Sequence, residues 1–324
     1  MNPIVLERHL VSRLKFKYLR LLVTVGDQRN IFKAAQIHNM AQPAATKIIR
    51  DIESALEIQL FDRSSRGVTP TLYGDVLIKH AKLILSQVKH ASEELSSLQG
   101  GLSGRVAVGS FLAASATLLP KAIARLKKDR PHVSIVIKEG TIDRLTDSLK
   151  IDDLDLMVGR IPEVPEEDGL RNEVLYREPV VIVTRADHPL QGKDDLTLKD
   201  VVNAEWILPP PETLLRREIE DAFHRENLNV PVNSIESTSI LTNRTLLKES
   251  DMLTAMPLQV VKSYEEIGLL RRLPLKLMTE PGAIGITLRA QRQLPPAALY
   301  LLEALRLEAK VITQKYQDSE QELL

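Results

Sequence analysis

The chain contains no cysteine. That excludes disulfides, zinc–thiolate sites, cysteine nucleophiles and thiol redox sensing. The seven histidines are scattered, with no His-x-x-x-His or His-x-Glu grouping, so no metal site is expected. Long apolar runs are missing, and no transmembrane helix is expected. No signal-peptide core is visible either: Ile4-Val5-Leu6 is followed at once by Glu7, Arg8 and His9. A cytoplasmic location is the resulting expectation. Gly-x-Ser-x-Gly, a Walker loop and a dinucleotide fingerprint are all absent. Gly101-Leu102-Ser103-Gly104 follows a helical pattern rather than a strand, which makes it a linker and not a phosphate loop. No enzyme activity, cofactor or metal is expected.

An excess of charge is also lacking: 43 Lys/Arg balance 43 Asp/Glu. The distribution is uneven. Residues 1–72 hold eleven Lys/Arg against six Asp/Glu, and the remainder is acidic by the same margin. A basic end on a neutral chain is a pointer to nucleic acid, with chance surface variation as the alternative. At 324 residues, 44% hydrophobic and 27% charged, the chain has the composition of a folded protein of two or three domains.

What is present is a series of helical patterns. Residues 1–13 read as a loose extension. Leu14, Tyr18, Leu21, Leu22 and Val25 make one apolar face of a helix that Gly26 and Asp27 are expected to end. A short helix from Ile31 to Ile37 carries the small residues Ala34 and Ala35, and a turn through His38-Asn39-Met40 leads to a third helix, Gln42 to Leu56, buried through Ala45, Ile49, Ile52 and Leu56. Two short helices joined by a tight turn are the core of a helix-turn-helix. The following Asp62-Arg63-Ser64-Ser65-Arg66-Gly67-Val68-Thr69 suggests a β-hairpin, which beside a helix-turn-helix is a wing. Leu77, Ala81, Ile84, Val88, Ala91, Leu95 and Leu98 then repeat at 4-3 spacing. That pattern fits a helix packed on its own domain or a dimerising coiled coil, and its narrow seam favours the coiled coil.

From Arg105 the chain alternates strands and helices, an α/β pattern. Strand candidates are Arg105–Ser110, Val133–Lys138, Asp155–Val158, Val180–Thr184, Met252–Ala255 and Ile284–Leu288. The second and fourth are rich in Val and Ile and read as buried parallel strands. Helices are expected near 117–129, 142–150, 213–227, 240–249 and 297–316. The length suits two α/β lobes whose last strand and helix return to the first. The domain reading is thus an extension (1–13), a winged helix-turn-helix (14–72), a linker helix and hinge (73–104), and a two-lobed α/β domain (105–316). In the last, lobe I takes about 105–160 and 283–316, lobe II takes about 170–280, and 317–324 is a flexible tail.

These residues carry a resemblance. Lys33-Ala34-Ala35, Ala41-Gln42-Pro43-Ala44-Ala45-Thr46-Lys47, Ile52-Glu53, Leu56-Glu57, Leu60-Phe61-Asp62-Arg63 and Thr71-Leu72-Tyr73-Gly74 resemble the LysR-type transcriptional regulators in order and spacing. Arg105-Val106-Ala107-Val108-Gly109, Leu119-Pro120 and His188-Pro189-Leu190 extend the likeness over nearly the whole chain. Asp153 to Arg160, with Gln42 to Lys47, resembles a subgroup controlling sugar-uptake and aromatic-acid catabolic operons. The resemblance implies an α/β multidomain protein with a winged helix-turn-helix, a linker coiled-coil helix and a two-lobed effector domain like a periplasmic binding protein. It implies a dimer through 77–98 and a homotetramer, binding to an interrupted inverted repeat in promoter DNA, RNA polymerase as a partner, and a small-molecule effector. A small-molecule-binding protein without a regulatory role is the alternative reading.

A recognition helix presents its N-terminal residues to base edges in the major groove. Gln42 is suited to adenine, Thr46 to phosphate or a thymine methyl, and Lys47 and Arg50 to guanine or phosphate. Pro43 fits the first helical turn. In the wing, Arg63, Arg66 and Thr69 are the phosphate or minor-groove candidates. Ala41 stands where the family has a helix-capping serine. Arg29-Asn30 replaces the usual Gly-Ser, with Asn30 still able to cap. For the effector, strand ends and helix starts in a clamshell cleft favour anions. The candidates are Ser110, Thr141, Arg160, Thr238 and Ser239, each of which also has an ordinary capping or surface role open to it. A carboxylate-bearing aromatic or sugar acid is the expected effector, and a neutral sugar is the alternative.

Overall fold

The computed structural model describes residues 3–64, 67–100, 104–161, 169–275, 277 and 280–321. They fall in two compact units, Met1–Gln99 with Lys150–Asp153, and Gly100–Leu149 with Leu154–Leu324. The first runs α1 (Pro3–Arg13), α2 (Phe16–Gln28), α3 (Ile31–Ile37), α4 (Gln42–Leu56), β1 (Phe61–Ser64), β2 (Gly67–Pro70) and α5 (Leu72–Gly100).

The apolar faces read from the sequence converge. Leu21, Leu22 and Val25 of α2, Ala34 and Ala35 of α3, and Ala45, Ile49, Ile52 and Leu56 of α4 form one buried cluster with Leu60 and Phe61. The two alanines of α3 have no long side chain to hold the neighbouring helices apart. Asn30 caps α3 as expected, its Oδ1 accepting the Lys33 N–H at 3.0 Å. Asn39, in the turn, takes the left-handed conformation that asparagine tolerates. β1 and β2 pair antiparallel from Phe61↔Pro70 to Ser64↔Gly67, forming the wing.

Two local expectations are corrected. Residues 3–13 are a helix, not a loose extension. Leu6 and Leu10 of α1 pack against the cluster, and His9 Nδ1 donates to the Ala55 carbonyl at 2.6 Å, satisfying one of the orphan carbonyls at the end of α4. Gly26 does not end α2, which continues to Gln28. A Cβ at Gly26 would lie 2.6 Å from Ile78 Cδ1, so this glycine serves the close approach of α5.

The second unit has two lobes. Lobe I comprises β3 (Gly104–Ser110), α6 (Leu112–Ser115), α7 (Leu118–Asp129), β4 (Val133–Glu139), α8 (Ile142–Lys150), β5 (Leu156–Arg160) and β6 (Leu170–Glu178). The chain then builds lobe II from β7 (Val180–Arg185), a 3-10 turn (Pro189–Gly192), α9 (Leu198–Val201), β8 (Trp206–Leu208), α10 (Leu214–Arg225), β9 (Ser234–Glu236), α11 (Ile240–Glu249), β10 (Leu253–Pro257), α12 (Leu258–Glu265) and β11 (Leu270–Arg272). It returns to lobe I as β12 (Gly282–Arg289) and α13 (Pro296–Gln321).

The lobe I sheet has the order β4-β3-β5-β12-β6, with β3 parallel to β4 and β5, and β12 antiparallel to β5 and β6. Alternation along β3 sends Val106 and Val108 into a core with α7 and α13, and Ala107 into another with Leu145 and Leu149 of α8. The lobe II sheet has the order β11-β7-β10-β8-β9. Trp206 and Phe223 meet edge-on at 5.6 Å between ring centroids within one of its cores.

The lobe boundary differs from the expected one. Residues 170–178 belong to lobe I as β6, pairing with β12, so the outward crossing falls at Glu178–Pro179. The two Val/Ile-rich strands also differ from expectation. β4 is parallel but lies at a sheet edge, with Ile137 half-exposed. β7 is buried but pairs antiparallel with both neighbours. Residue type sets burial tendency, whereas strand direction follows from topology. α13 continues to Gln321, into the stretch expected as a tail.

Candidate functional site

α4 rests on its apolar face and exposes Gln42, Pro43, Lys47 and Arg50, with Thr46 half-buried. Ala41 is extended (φ −70°, ψ 141°) and provides no side-chain cap. Its carbonyl accepts the N–H groups of Ala44 and Ala45, while the first-turn N–H groups lack the acceptor that a serine would add.

The wing is pinned at two points. The Val68 N–H donates to the Arg29 carbonyl at 3.0 Å. Glu53, on α4, accepts the N–H groups of Leu60 and Phe61 at 2.9 and 3.1 Å through Oε1. Its Oε2 accepts from Arg63 Nη2 at 3.3 Å. Arg63, expected on phosphate, is therefore joined to α4. Thr69 is exposed on β2, and Arg66 lies outside the described residues. Sequence reasoning used Glu53 only as part of a motif. Its signal was an acid on the flank of α4, within reach of two N–H groups at the wing's root.

In the second unit, three of the expected residues share one edge of the lobe I sheet. Ser110 ends β3, Thr141 follows β4 and opens α8, and Arg160 ends β5. Ser110 is buried and shares a 2.8 Å hydrogen bond with Ser115. Thr141 is half-buried, and its carbonyl accepts the Leu145 N–H. Arg160 is buried, and its Nη1 lies 2.9 Å from both carboxylate oxygens of Glu218 on α10. Thr238 and Ser239 lie in lobe II, after β9, and are exposed. Ser239 caps α11, accepting from the Thr242 N–H at 3.3 Å and its hydroxyl at 2.9 Å. His188 has a structural role: Nδ1 accepts the Leu190 N–H and Nε2 donates to the Asp251 carbonyl.

The crossing between lobes holds a group missed in the sequence. Glu178 is fully buried at the end of β6. Its Oε1 accepts the N–H of Gln259 in the first turn of α12, and Oε2 has no hydrogen-bond partner. Burial pushes this carboxyl up to about 7, against the opposing pull of the Gln259 N–H, Arg160 and Lys262. Only the tertiary packing identifies it, because Arg177-Glu178-Pro179 reads locally as a polar turn. Among the described residues no cluster suited to a metal ion occurs, and no helix is long and apolar enough to cross a membrane.

A helix-turn-helix with a wing, followed by a two-lobed α/β domain, is the architecture of a DNA-binding protein that carries a separate α/β domain. Residues 16–75 match the family of bacterial regulatory helix-turn-helix proteins, lysR family, and residues 99–310 match the LysR substrate binding domain. The chain belongs to the LysR family of transcriptional regulators. It is 34% identical to the HTH-type transcriptional regulator GbpR of Azospirillum brasilense, over 92% of this chain and 87% of the relative. It is 31% identical to GalR of Pseudomonas putida, over 92% and 74%, and 29% identical to PcaQ of Agrobacterium fabrum, over 91% and 95%. Among solved structures, full-length CbnR complexed with its target DNA superposes with a TM-score of 0.68 at 16% identity, covering 90% of this chain and 99% of that one. A full-length OxyR variant from Pseudomonas aeruginosa gives 0.67 at 23%, covering 91% and 95%. At these identities the structural likeness concerns the fold alone.

Proposed function

We propose that this regulator reads promoter DNA through the N-terminal turns of α4 and responds to a carboxylate-bearing metabolite between the lobes of its second unit. The observation that carries the first part is a polar, exposed helix start on an apolar seat, beside a wing tied to that same helix. Gln42, Thr46, Lys47 and Arg50 contact bases or nearby phosphate. Pro43 shapes the entry turn. Arg63, Thr69 and Arg66 serve the backbone, with Arg63 exchanging Glu53 for phosphate or bracing the wing.

The proposal extends to self-association through α5. Ile84, Val88 and Leu95 of the heptad stripe are 44, 46 and 63% exposed, an apolar seam that a second copy of the helix would cover. This seam supports a dimer; reading an interrupted inverted repeat, doubling to a tetramer and working with RNA polymerase in the cytoplasm complete the proposed assembly.

Salt-dependent binding to the DNA upstream of the gene tests the reading end. Gln42→Ala should relax base preference, whereas Arg66→Ala should weaken operator and random DNA alike and reduce the salt slope by about 1. Equal loss of specificity from both variants would refute this division. For the sensing end, a thermal-shift screen should find stabilisation by aromatic or sugar acids through Ser110, Thr141, Arg160, Thr238 and Ser239. Stabilisation by neutral sugars alone would remove the anion. One observation favours that second reading: the guanidinium of Arg160 already faces a carboxylate.

A further inference from the structure

Arg160 and Glu218 are held in an unusual way. Arg160 stands on β5 of lobe I and Glu218 on α10 of lobe II, so their contact crosses between lobes. Both carboxylate oxygens bond one nitrogen, Nη1, at 2.9 Å. A side-on pairing that spreads two oxygens over two guanidinium nitrogens is the better geometry for a carboxylate. Nη2 donates to the Glu178 carbonyl at 3.3 Å, and Nε is buried with no hydrogen-bond partner. The guanidinium is thus buried, end-on to its counter-ion, and keeps an unused donor.

The seat is shaped by backbone as well. Gly282 opens β12 beside the pair, and a Cβ there would collide with Arg160 Nη1 and lie 2.9 Å from Glu218 Oε1. The Arg160 side chain is 6% exposed and that of Glu218 is 25% exposed, so the seat opens to solvent on the glutamate's side.

We propose that Glu218 is a built-in occupant of an anion seat at Arg160, displaced by the effector's carboxylate. Displacement exchanges an end-on internal contact for a ligand that can reach Nε, and it releases a tie between lobes. The tied and untied arrangements are two states that the ligand would bias by its differential affinity. The proposal rests on the carboxylate reading of the effector.

The test uses the full chain and has two arms. In the first, melting temperatures of wild type, Glu218→Ala, Glu218→Gln and the double variant Arg160→Ala/Glu218→Ala are compared in sodium acetate and in sodium chloride of equal ionic strength. Acetate should raise the melting temperature of Glu218→Ala and Glu218→Gln by several degrees, and leave the wild type and the double variant unmoved. An equal response of the wild type, or no response of either single variant, overturns the internal occupant. In the second arm, calorimetric titration compares benzoate and gluconate with benzyl alcohol and glucose. A carboxylate that binds the wild type should bind Glu218→Gln roughly tenfold tighter or more, as expected when a competing charged hydrogen bond is removed. The neutral probes should not change. A carboxylate that binds the wild type and gains nothing from Glu218→Gln overturns the displacement. Binding of the neutral probes alone defeats the carboxylate effector, separately from the acetate result.

Discussion

The two units each place a glutamate against backbone N–H groups, with opposite consequences. Glu53 uses both oxygens, one on the Leu60 and Phe61 N–H groups and one on Arg63. Glu178 uses one oxygen and buries the other without a partner. A satisfied carboxylate on a helix flank fixes geometry, which suits a wing that must keep register with its helix. A half-satisfied carboxylate buried at a crossing between lobes costs stability. The first unit satisfies its glutamate fully, and the second keeps the unpartnered Glu178 Oε2 and Arg160 Nε where its lobes meet.

The core of the first unit offers the most severe test of that contrast. Ile49 is fully buried beneath the exposed start of α4. Ile49→Ala should cost roughly 2–5 kcal/mol. Calorimetry should place that loss in the first unit's transition and leave the second's unchanged, with DNA binding lost. An equal shift of both transitions would break the separation.

Next comes pH. A carboxyl whose folded-state value lies above its unfolded one binds its proton more tightly when folded. It therefore lowers stability as pH rises through the interval between the two. For Glu178 that interval runs from 4.5 to about 7. The loss should approach roughly 3 kcal/mol and level off above it. Glu178→Gln should flatten this slope in melts taken from pH 5 to 8. An unchanged slope would mean that Glu178 is not the titrating group.

Glu53→Gln is the matching substitution in the first unit. It should cost roughly 1–3 kcal/mol, because it weakens charged hydrogen bonds to two N–H groups and Arg63. It should also reduce operator affinity more than Arg63→Ala does. A larger effect from Arg63→Ala would assign that arginine to phosphate rather than to bracing. The smallest expected change is a gain. The extended backbone of Ala41 suits a capping side chain, and Ala41→Ser should add about 1 kcal/mol to the first unit's stability.

The helix-turn-helix was legible in the sequence because its signals are local. The spacing of Ala45, Ile49, Ile52 and Leu56 sets which face of α4 is buried, and by subtraction leaves Gln42, Lys47 and Arg50 outward. Asn30 caps the residue three positions on. The pieces misread there involve distant partners: Gly26 answers to Ile78, and α1 owes its order to Leu6 and Leu10 on the helix-turn-helix core. In the effector unit, Ser110, Thr141 and Arg160 were legible as strand ends, and parallel pairing of β3 with β4 and β5 brings them to one edge. Glu178 and Glu218 were not legible, since each matters through a partner 58 or more residues away.

By itself, then, the sequence determined that this chain carries a winged helix-turn-helix and a long apolar-striped helix before an α/β effector domain. Periodicity and capping act within a few residues, so the order of residues is enough to specify them. The tertiary structure alone decided that β6 belongs with lobe I, that β7 pairs antiparallel, that the wing is tied to α4 through Glu53, and that Arg160 meets Glu218 across the lobes. Those outcomes depend on which distant segments share a sheet or a buried pocket, and desolvation and pairing at such places follow from packing, not from neighbours in the chain.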